Sequence, residues 1–364
     1  MKICFVNTNK KWGGGEKWHC EMAIQMKAMG HDVYFIAHPD GKVISSLQEK
    51  NINIIPFRIG NLSFLNHFKI RQITISLQDI NPEVIVLNMP SDLKSIGIAA
   101  SRAGIKNIIY RRGSAIPVRN TKFNRYLFKN VVSGIITNSE ATKNTILQNN
   151  PELFDPEKIQ VIYNGIDLHE FNNQETQNLI PKDDKKIILG NAARLSRQKG
   201  HEILFDIANI LKERKINYHL YLAGSGEKEV QLKKLAEKLE LRNNITFLGF
   251  VKNMKSFMEG IDIFLLTSEW EGFGYVLAEA MACSKPSIAF DISSNPELID
   301  DGKNGYLIDA FNIDQFADRI ISLSKNRELR EELGHNAKEI LLNKFTLEKS
   351  VKEFSRFISE LQAK

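Results

Sequence analysis

The sequence predicts an α/β protein built as two doubly wound domains in tandem, and three observations carry that expectation. Short runs that are largely apolar alternate with amphipathic segments from the first residue onward. That is the pattern of parallel strands buried on both faces and joined by helices. At 364 residues the chain is too long for one small core, since a domain averages about 150 residues. A polar stretch over residues 168–186, rich in asparagine and acids and holding Pro181, interrupts the alternation and has little to bury, as expected of a linker.

Taken in order, the strand candidates before that stretch are KICFVNT, DVYFIA, INIIPF, VIVLN, NIIY, GIITN and VIYN. Those after it are KIILGNA, YHLYLAG, ITFLGF, DIFLLTS, PSIAF and GYLI. A helix from Lys199 sets Ile203, Leu204, Ile207, Ile210 and Leu211 on one stripe, so it packs on a sheet. The last helix, from about Leu347, does the same with Leu347, Val351, Phe354, Ile358 and Leu361. The resulting division is a first domain over residues 1–168 and a second over 169–346, with the helix over 347–364 expected to pack back on the first. No short-period repeat or low-complexity tract interrupts this plan.

Composition narrows the class. Hydrophobic residues make up 43% and charged residues 25%, close to globular averages and far from a disordered chain or a coiled coil. No apolar run reaches the roughly 20 residues of a membrane span, and the opening MKICFVNTNK turns polar too soon for a signal peptide. The cytoplasm is the expected location. Cys4, Cys20 and Cys283 are an odd number without metal-ligand spacing, so they read as small core residues rather than a disulfide framework. The 49 Lys and Arg against 43 Asp and Glu leave +6, which favours an anionic partner without naming it.

Three stretches could carry chemistry, each directly after a strand candidate, where open parallel sheets bind their ligands. The first is NKKWGGGE at residues 9–16. Its three glycines let backbone amides approach a ligand and the following helix offers its positive end to phosphate, although a plain tight turn would look the same. If Gly13 and Gly15 open a dinucleotide fingerprint, its third glycine falls on Trp18, so NAD is not the expected ligand. The second is ARLSRQKG at residues 193–200. Arg194 and Lys199 are either surface cations or the two sides of an anion site, and a lysine at a helix start gains nothing from the dipole there.

The third is EWEGFGYVLAEAMA at residues 269–282. A helix beginning at residues 272–275 would turn free amides toward a phosphate. Glu271 and Glu279 would then lie roughly 12 Å apart along the axis, enough for a pyrophosphate flanked by sugars. A carboxylate accepts both hydroxyls of a vicinal diol. Glu271 could equally be an acid that stabilises a helix start. Glu279 lies among Val276, Leu277, Ala280 and Met281, where a buried carboxylate without a partner would be costly, so it belongs on a polar rim or against a ligand.

Read together, EGFGYVLAEAMACSKPSIA, ARLSRQKG, VIYNGID, TNSE and WGGGE resemble the retaining family 4 glycosyltransferases (glycosyl transferases group 1) of the GT-B fold, in the right order along the whole chain. The resemblance implies two Rossmann-like domains facing across a cleft. It also implies a nucleotide-sugar donor, a UDP-sugar in the first instance, held mainly by the second. Carried over by position, Glu279 would bind the ribose and Glu271 the donor sugar or its phosphate. Gly272, Phe273, Gly274 and Tyr275 would hold the diphosphate and sugar, and Arg194 and Lys199 would stabilise the leaving group. Gly14 and Gly15 would line the cleft from the first domain, and Gly249, Phe250 and Val251 would form the wall under the base. Where the family commonly places a histidine, this chain has RRGSAIP at residues 111–117. Arg111, Arg112 and Ser114 are the available stand-ins there, with Asn138, Ser139 and Asn164 beside them on the acceptor side.

Sugar transfer builds negative charge on the departing diphosphate. No Asp-x-Asp and no metal-spaced His, Asp and Glu occur, so cations and a helix end are expected to replace a metal, and no cofactor is expected. Retention follows from the resemblance; the two glutamates are too far apart for a two-carboxylate glycosidase. The acceptor would be a cell-envelope glycan or a lipid-linked saccharide. Arg111, Arg112, Arg119, Lys122, Arg125 and Lys129, interleaved with Phe123, Tyr126, Leu127 and Phe128 and echoed over residues 64–71, suit an anionic membrane surface, or else form a solvated helix face. A GT-B epimerase would share the donor site but need no acceptor, and a nucleic-acid binder would share the charge but shows no motif of its own.

Overall fold

The structure, a computed structural model, describes residues 1–363. The chain forms two compact units, one of residues 1–164 with 349–363 and one of residues 165–348. The polar stretch after residue 168 lies inside the second unit. It begins with a short helix, Leu168–Asn172, and is tied down where Asn253 Nδ2 donates to the Glu175 carbonyl and Lys255 Nζ to that of Asn172.

The first unit holds seven strands: β1 (Lys2–Asn7), β2 (Asp32–Ala37), β3 (Asn53–Pro56), β4 (Val84–Leu87), β5 (Asn107–Arg112), β6 (Gly134–Thr137) and β7 (Ile159–Val161). They pair in the order β3-β2-β1-β4-β5-β6-β7, all parallel. The register sets Phe5 opposite Phe35 and Val6 opposite Leu87. On one face of the sheet the alternate residues Cys4, Val6, Ile85, Leu87, Ile108 and Tyr110 feed a core with Ile73 and Leu77 from the helix His67–Ile80 and Phe128 from the helix Lys122–Asn130. The order reverses between β1 and β4, which makes that gap the switch point where such sheets bind ligands.

The VIYN expectation is corrected. The strand is Ile159–Val161, two residues earlier in the chain. After Val161 the backbone keeps a bond from Ile162 N to the Thr137 carbonyl and then leaves the sheet. The final helix, Leu347–Ala363, sets Phe354 against Phe5 and Trp18, with ring centroids 5.9 and 5.7 Å apart. A Cβ at Gly134 would lie 3.0 Å from the Phe357 ring and 3.1 Å from Leu361, so a residue without a side chain admits that helix. Burying a ring such as Phe354 contributes about 2–3 kcal/mol.

The second unit has six strands: β8 (Ile187–Ala192), β9 (Tyr218–Ala223), β10 (Ile245–Gly249), β11 (Ile263–Leu266), β12 (Ser287–Phe290) and β13 (Gly305–Ile308). Their order, β10-β9-β8-β11-β12-β13, is again parallel and reverses between β8 and β11. The helix expected from Lys199 runs His201–Glu213 and buries Leu204, Phe205, Ile207, Ala208 and Leu211. Lys199 itself ends a 3-10 turn, Arg197–Lys199. The helix expected from residue 272 is Tyr275–Ala282, with Gly274 as its N-cap.

Candidate active site

At the switch point of the second sheet, the loops that follow β8 and β11 are fastened together. Gly200 adopts φ +60°, and a Cβ there would sit 2.0 Å from the Thr267 carbonyl oxygen. Only glycine fits both the left-handed backbone and the contact. Thr267 Oγ1 donates to the Gly200 carbonyl at 3.0 Å. The Glu269 amide donates to the Gln198 carbonyl at 2.8 Å, and Gln198 Nε2 donates to the Trp270 carbonyl at 2.8 Å. These bonds bring Lys199 to Glu271. Its Nζ donates to Glu271 Oε1 at 2.6 Å, and Ser268 Oγ donates to the same oxygen at 2.6 Å.

Glu271 is 6% exposed. An unpaired carboxylate at that depth would be costly, and the lysine and hydroxyl offset the cost by supplying charge and hydrogen bonds together. Beyond it come Gly272 and the buried Phe273, whose ring meets Tyr275 and Phe345 at 5.7 and 5.6 Å. Gly274, at φ +80°, opens the helix, so the first helical amides follow the glycine turn directly. Glu279 lies on this helix half-buried, while Leu277, Ala278, Ala280 and Met281 face the interior. Arg194 is exposed just past β8 and makes no ion pair among the described residues.

The same edge continues through the loops after β9 and β10. The Leu195 amide donates to the Ser225 carbonyl at 3.1 Å, and the Gly224 amide to the Gly249 carbonyl at 2.7 Å. Cβ atoms at Gly224 and Gly226 would lie 1.9 Å from the Ala193 and 2.3 Å from the Leu195 carbonyl oxygens. Gly249 is left-handed at φ +69°, and the next residue, Phe250, is exposed, with Val251 half-buried. Lys228 Nζ pairs with Glu202 at 2.5 Å. Burial, reinforced by Lys199 and Lys228 against the opposing pull of Glu202, pushes the His201 imidazole down to about 4. It is therefore neutral at physiological pH. Sequence reasoning missed Ser268, His201, Gly224 and Gly226 as parts of this edge; the Gly-Ser-Gly directly after YHLYLA was the available signal for the two glycines.

The first unit carries a polar cluster at its own switch point. Glu16, near the start of the helix Gly14–Ala28, accepts from Asn7 Nδ2 at 3.2 Å and Asn9 Nδ2 at 3.0 Å. Gly14 is exposed, and a Cβ at Gly15 would lie 2.9 Å from Asn88 Nδ2. Asp92 is fully buried, accepting from the Thr8 hydroxyl and from the Thr8 and Met89 amides. Burial pushes its carboxyl up to about 6 against these bonds. Asn88, Asp92 and Thr8 were not found from the sequence, whereas Glu16 closes the NKKWGGGE stretch.

Arg111 corrects an expectation. It is 2% exposed, not part of a basic surface. Its Nη2 donates to Asn164 Oδ1 at 2.9 Å, its Nη1 to Asn88 Oδ1 at 3.4 Å, and its guanidinium lies 4.8 Å over the Trp18 ring. Asn164 thus serves Arg111. Arg112 donates to the Ile116 carbonyl, Ser114 is exposed, and Asn138 Nδ2 donates to the Gly113 carbonyl at 3.3 Å. Ser139 caps the helix Glu140–Leu147 by accepting from the Thr142 amide at 3.0 Å. Among the described residues no cluster of three or more His, Cys, Asp or Glu is placed to hold a metal.

Two doubly wound parallel units, the second bringing Lys199, Ser268 and Glu271 together ahead of a glycine turn at its sheet's switch point, are the architecture of a GT-B fold. The comparisons with known proteins agree. The profile of glycosyltransferase family 4 matches residues 12–170 and that of glycosyl transferases group 1 matches residues 172–340. A glycosyltransferase of Methanocaldococcus jannaschii is 31% identical over 270 residues, 72% of this chain and 70% of that one. The chain belongs to the group 1 glycosyltransferases. It is also similar to the poly(ribitol-phosphate) alpha-N-acetylglucosaminyltransferase of Staphylococcus aureus, 30% identical over 233 residues, 62% of this chain and only 44% of that enzyme. The fold matches the Anabaena protein HepE, solved with UDP and glucose, at a TM-score of 0.82 and 23% identity over 99% of both chains.

Proposed function

We propose that the protein transfers a hexosyl group from a nucleotide diphosphate sugar, a UDP-sugar first among them, to a hydroxyl of a cell-envelope saccharide, free or lipid-linked. Configuration at the anomeric carbon is retained, and no metal is used. The Lys199–Glu271 pair at the second sheet's switch point carries the reading. Both bonds to Glu271 fall on Oε1, so Oε2 is the oxygen that would accept from donor-sugar hydroxyls. Glu279 would take the ribose diol.

In this reading the bond from the anomeric carbon to the diphosphate oxygen breaks, and its electron pair stays on the phosphate. Arg194, Lys199 and the amides from Gly272 to Tyr275 stabilise the charge that develops. Each such group aimed at a departing anion contributes about 10²–10³-fold in rate. The acceptor oxygen attacks the face the phosphate leaves, and its proton passes to that phosphate, so no side-chain base is required. Phe250, exposed at the end of β10, would stack on the base. In support, the Staphylococcus aureus relative is named for sugar transfer to a poly(ribitol-phosphate), and the Anabaena structure holds UDP and glucose.

The test is a panel of labelled nucleotide sugars incubated with and without saccharide acceptors, in chelator and in added magnesium. The reading expects acceptor-dependent transfer, equal in both, with an axial donor linkage kept axial in the product by NMR. A product formed without acceptor would mark an epimerase, and strict dependence on magnesium would overturn the role given to the cations.

A further inference from the structure

We infer that one face of the first unit, formed by residues 62–75 and 119–129, docks on an anionic lipid bilayer. The helix His67–Ile80 is apolar on two sides. Ile70, Ile73, Leu77 and Ile80 are buried, whereas Phe68, Arg71 and Ile75 form an opposite, exposed stripe. Leu62, Leu65 and Phe68 are 71%, 61% and 87% exposed, and three large apolar side chains so near in sequence and open to water mark an interaction site. The intervening Phe64 stacks on Phe123 with ring centroids 4.9 Å apart. That contact joins the apolar turn to the helix Lys122–Asn130.

This second helix turns Leu127 and Phe128 inward and leaves Lys122, Arg125, Tyr126 and Lys129 exposed at helical spacing. No Asp or Glu occurs in residues 50–78 or 93–139, so the only acid of these two helices is Asp79, exposed two turns beyond Arg71 at the far end of the first, and it leaves Lys69, Arg71, Arg119, Lys122, Arg125 and Lys129 in large excess. Apolar side chains set among cations match the boundary of a bilayer, where acyl chains lie beneath anionic headgroups. A nucleic acid would leave Leu62, Leu65 and Phe68 unused. A symmetric pairing with a second copy would bring the two sets of cations together. Among the described residues no helix is long and apolar enough to cross a membrane, so contact by this face is peripheral. The inference is independent of the donor site: vesicle binding can fail while sugar transfer succeeds, and the reverse.

The experiment is sedimentation of the full chain with vesicles of equimolar phosphatidylglycerol and phosphatidylcholine, against vesicles of phosphatidylcholine alone. Binding is expected to the anionic vesicles only. Joint Arg125→Glu and Lys129→Glu reversal is expected to weaken it at least about tenfold. Joint Leu65→Ser and Phe68→Ser is expected to weaken it about tenfold as well. Reversal of Lys233 and Lys238 in the second unit should change nothing. All these side chains are exposed, and thermal unfolding of each variant checks that it folds. No binding to anionic vesicles, equal binding to both kinds, or binding undiminished in the variants would overturn the inference. So would concentration-dependent dimerisation abolished by Phe68→Ser, which would assign the face to a second copy.

Discussion

Lys199 Nζ and Glu271 Oε1 lie 2.6 Å apart, across 72 residues of sequence, because the strands that precede them, β8 and β11, are neighbours in the sheet. The pair fastens the two loops. Glu271→Ala leaves that ammonium and Ser268 without their acceptor, so it should lower stability by about 3 kcal/mol. Glu271→Gln, which keeps an oxygen in place, should cost less. Urea unfolding with a tryptophan readout measures both; equal stability of wild type and Glu271→Ala would mean the pair is not structural.

Glu279 sits half-buried with its apolar neighbours turned inward. Its removal is expected to weaken UDP binding about tenfold, the worth of charge-assisted hydrogen bonds to a diol. Glu271→Ala should affect UDP itself less, since its proposed ligand is the sugar. Isothermal titration of UDP into the two variants and wild type separates these roles, and three equal affinities would refute the assignment.

Arg194 is exposed and without an ion pair among the described residues, so its substitution isolates chemistry from folding. Arg194→Ala should leave stability within about 0.5 kcal/mol and lower kcat about 100-fold. Steady-state kinetics and a thermal melt on the same preparation decide it. Unchanged kcat would remove Arg194 from the mechanism.

His201 sets a pH dependence. Its folded value is pushed down to about 4 from an ordinary 6.5. Between those values the unfolded chain holds the proton and the folded one does not, so stability rises with pH across the window. Acidification from about 6.5 to 4 should remove about 3 kcal/mol. Neither ring nitrogen finds a hydrogen-bond partner among the described residues, so His201→Leu should fold and show a slope shallower by that amount. Parallel slopes in the two proteins, measured by denaturant unfolding at stepped pH, would contradict the shift.

The glycines of the edge give a backbone prediction. Gly224 stands at φ +145° with its Cβ position 1.9 Å from the Ala193 carbonyl oxygen. Gly224→Ala should cost at least about 2 kcal/mol and weaken nucleotide binding with it, as read by thermal shift with and without UDP. Full stability in Gly224→Ala would mean the loops can separate freely.

The strands were legible where burial on both faces leaves one reading. DVYFIA and GYLI coincide with β2 and β13 residue for residue. VIYN misled because Ile162 and Tyr163 look like strand residues, although the chain leaves the sheet there to carry Asn164 to Arg111. The stretches of the candidate second-unit site stood out because each opens in the loop after a strand. Their mutual contacts did not, since no local pattern reports that Lys199 meets Glu271. Arg111 defeated sequence reasoning for a related reason: a guanidinium reads as surface until Asn88, Asn164 and Trp18 are brought around it from three distant segments.

The central claim is that the second unit grips the diphosphate of a sugar nucleotide between Arg194, Lys199 and the amides that open the helix at Tyr275. A crystal structure with bound UDP tests it most directly. The account predicts phosphate oxygens within hydrogen-bond distance of those cations and amides, with the ribose hydroxyls on Glu279. Clear density for UDP away from these groups would contradict it.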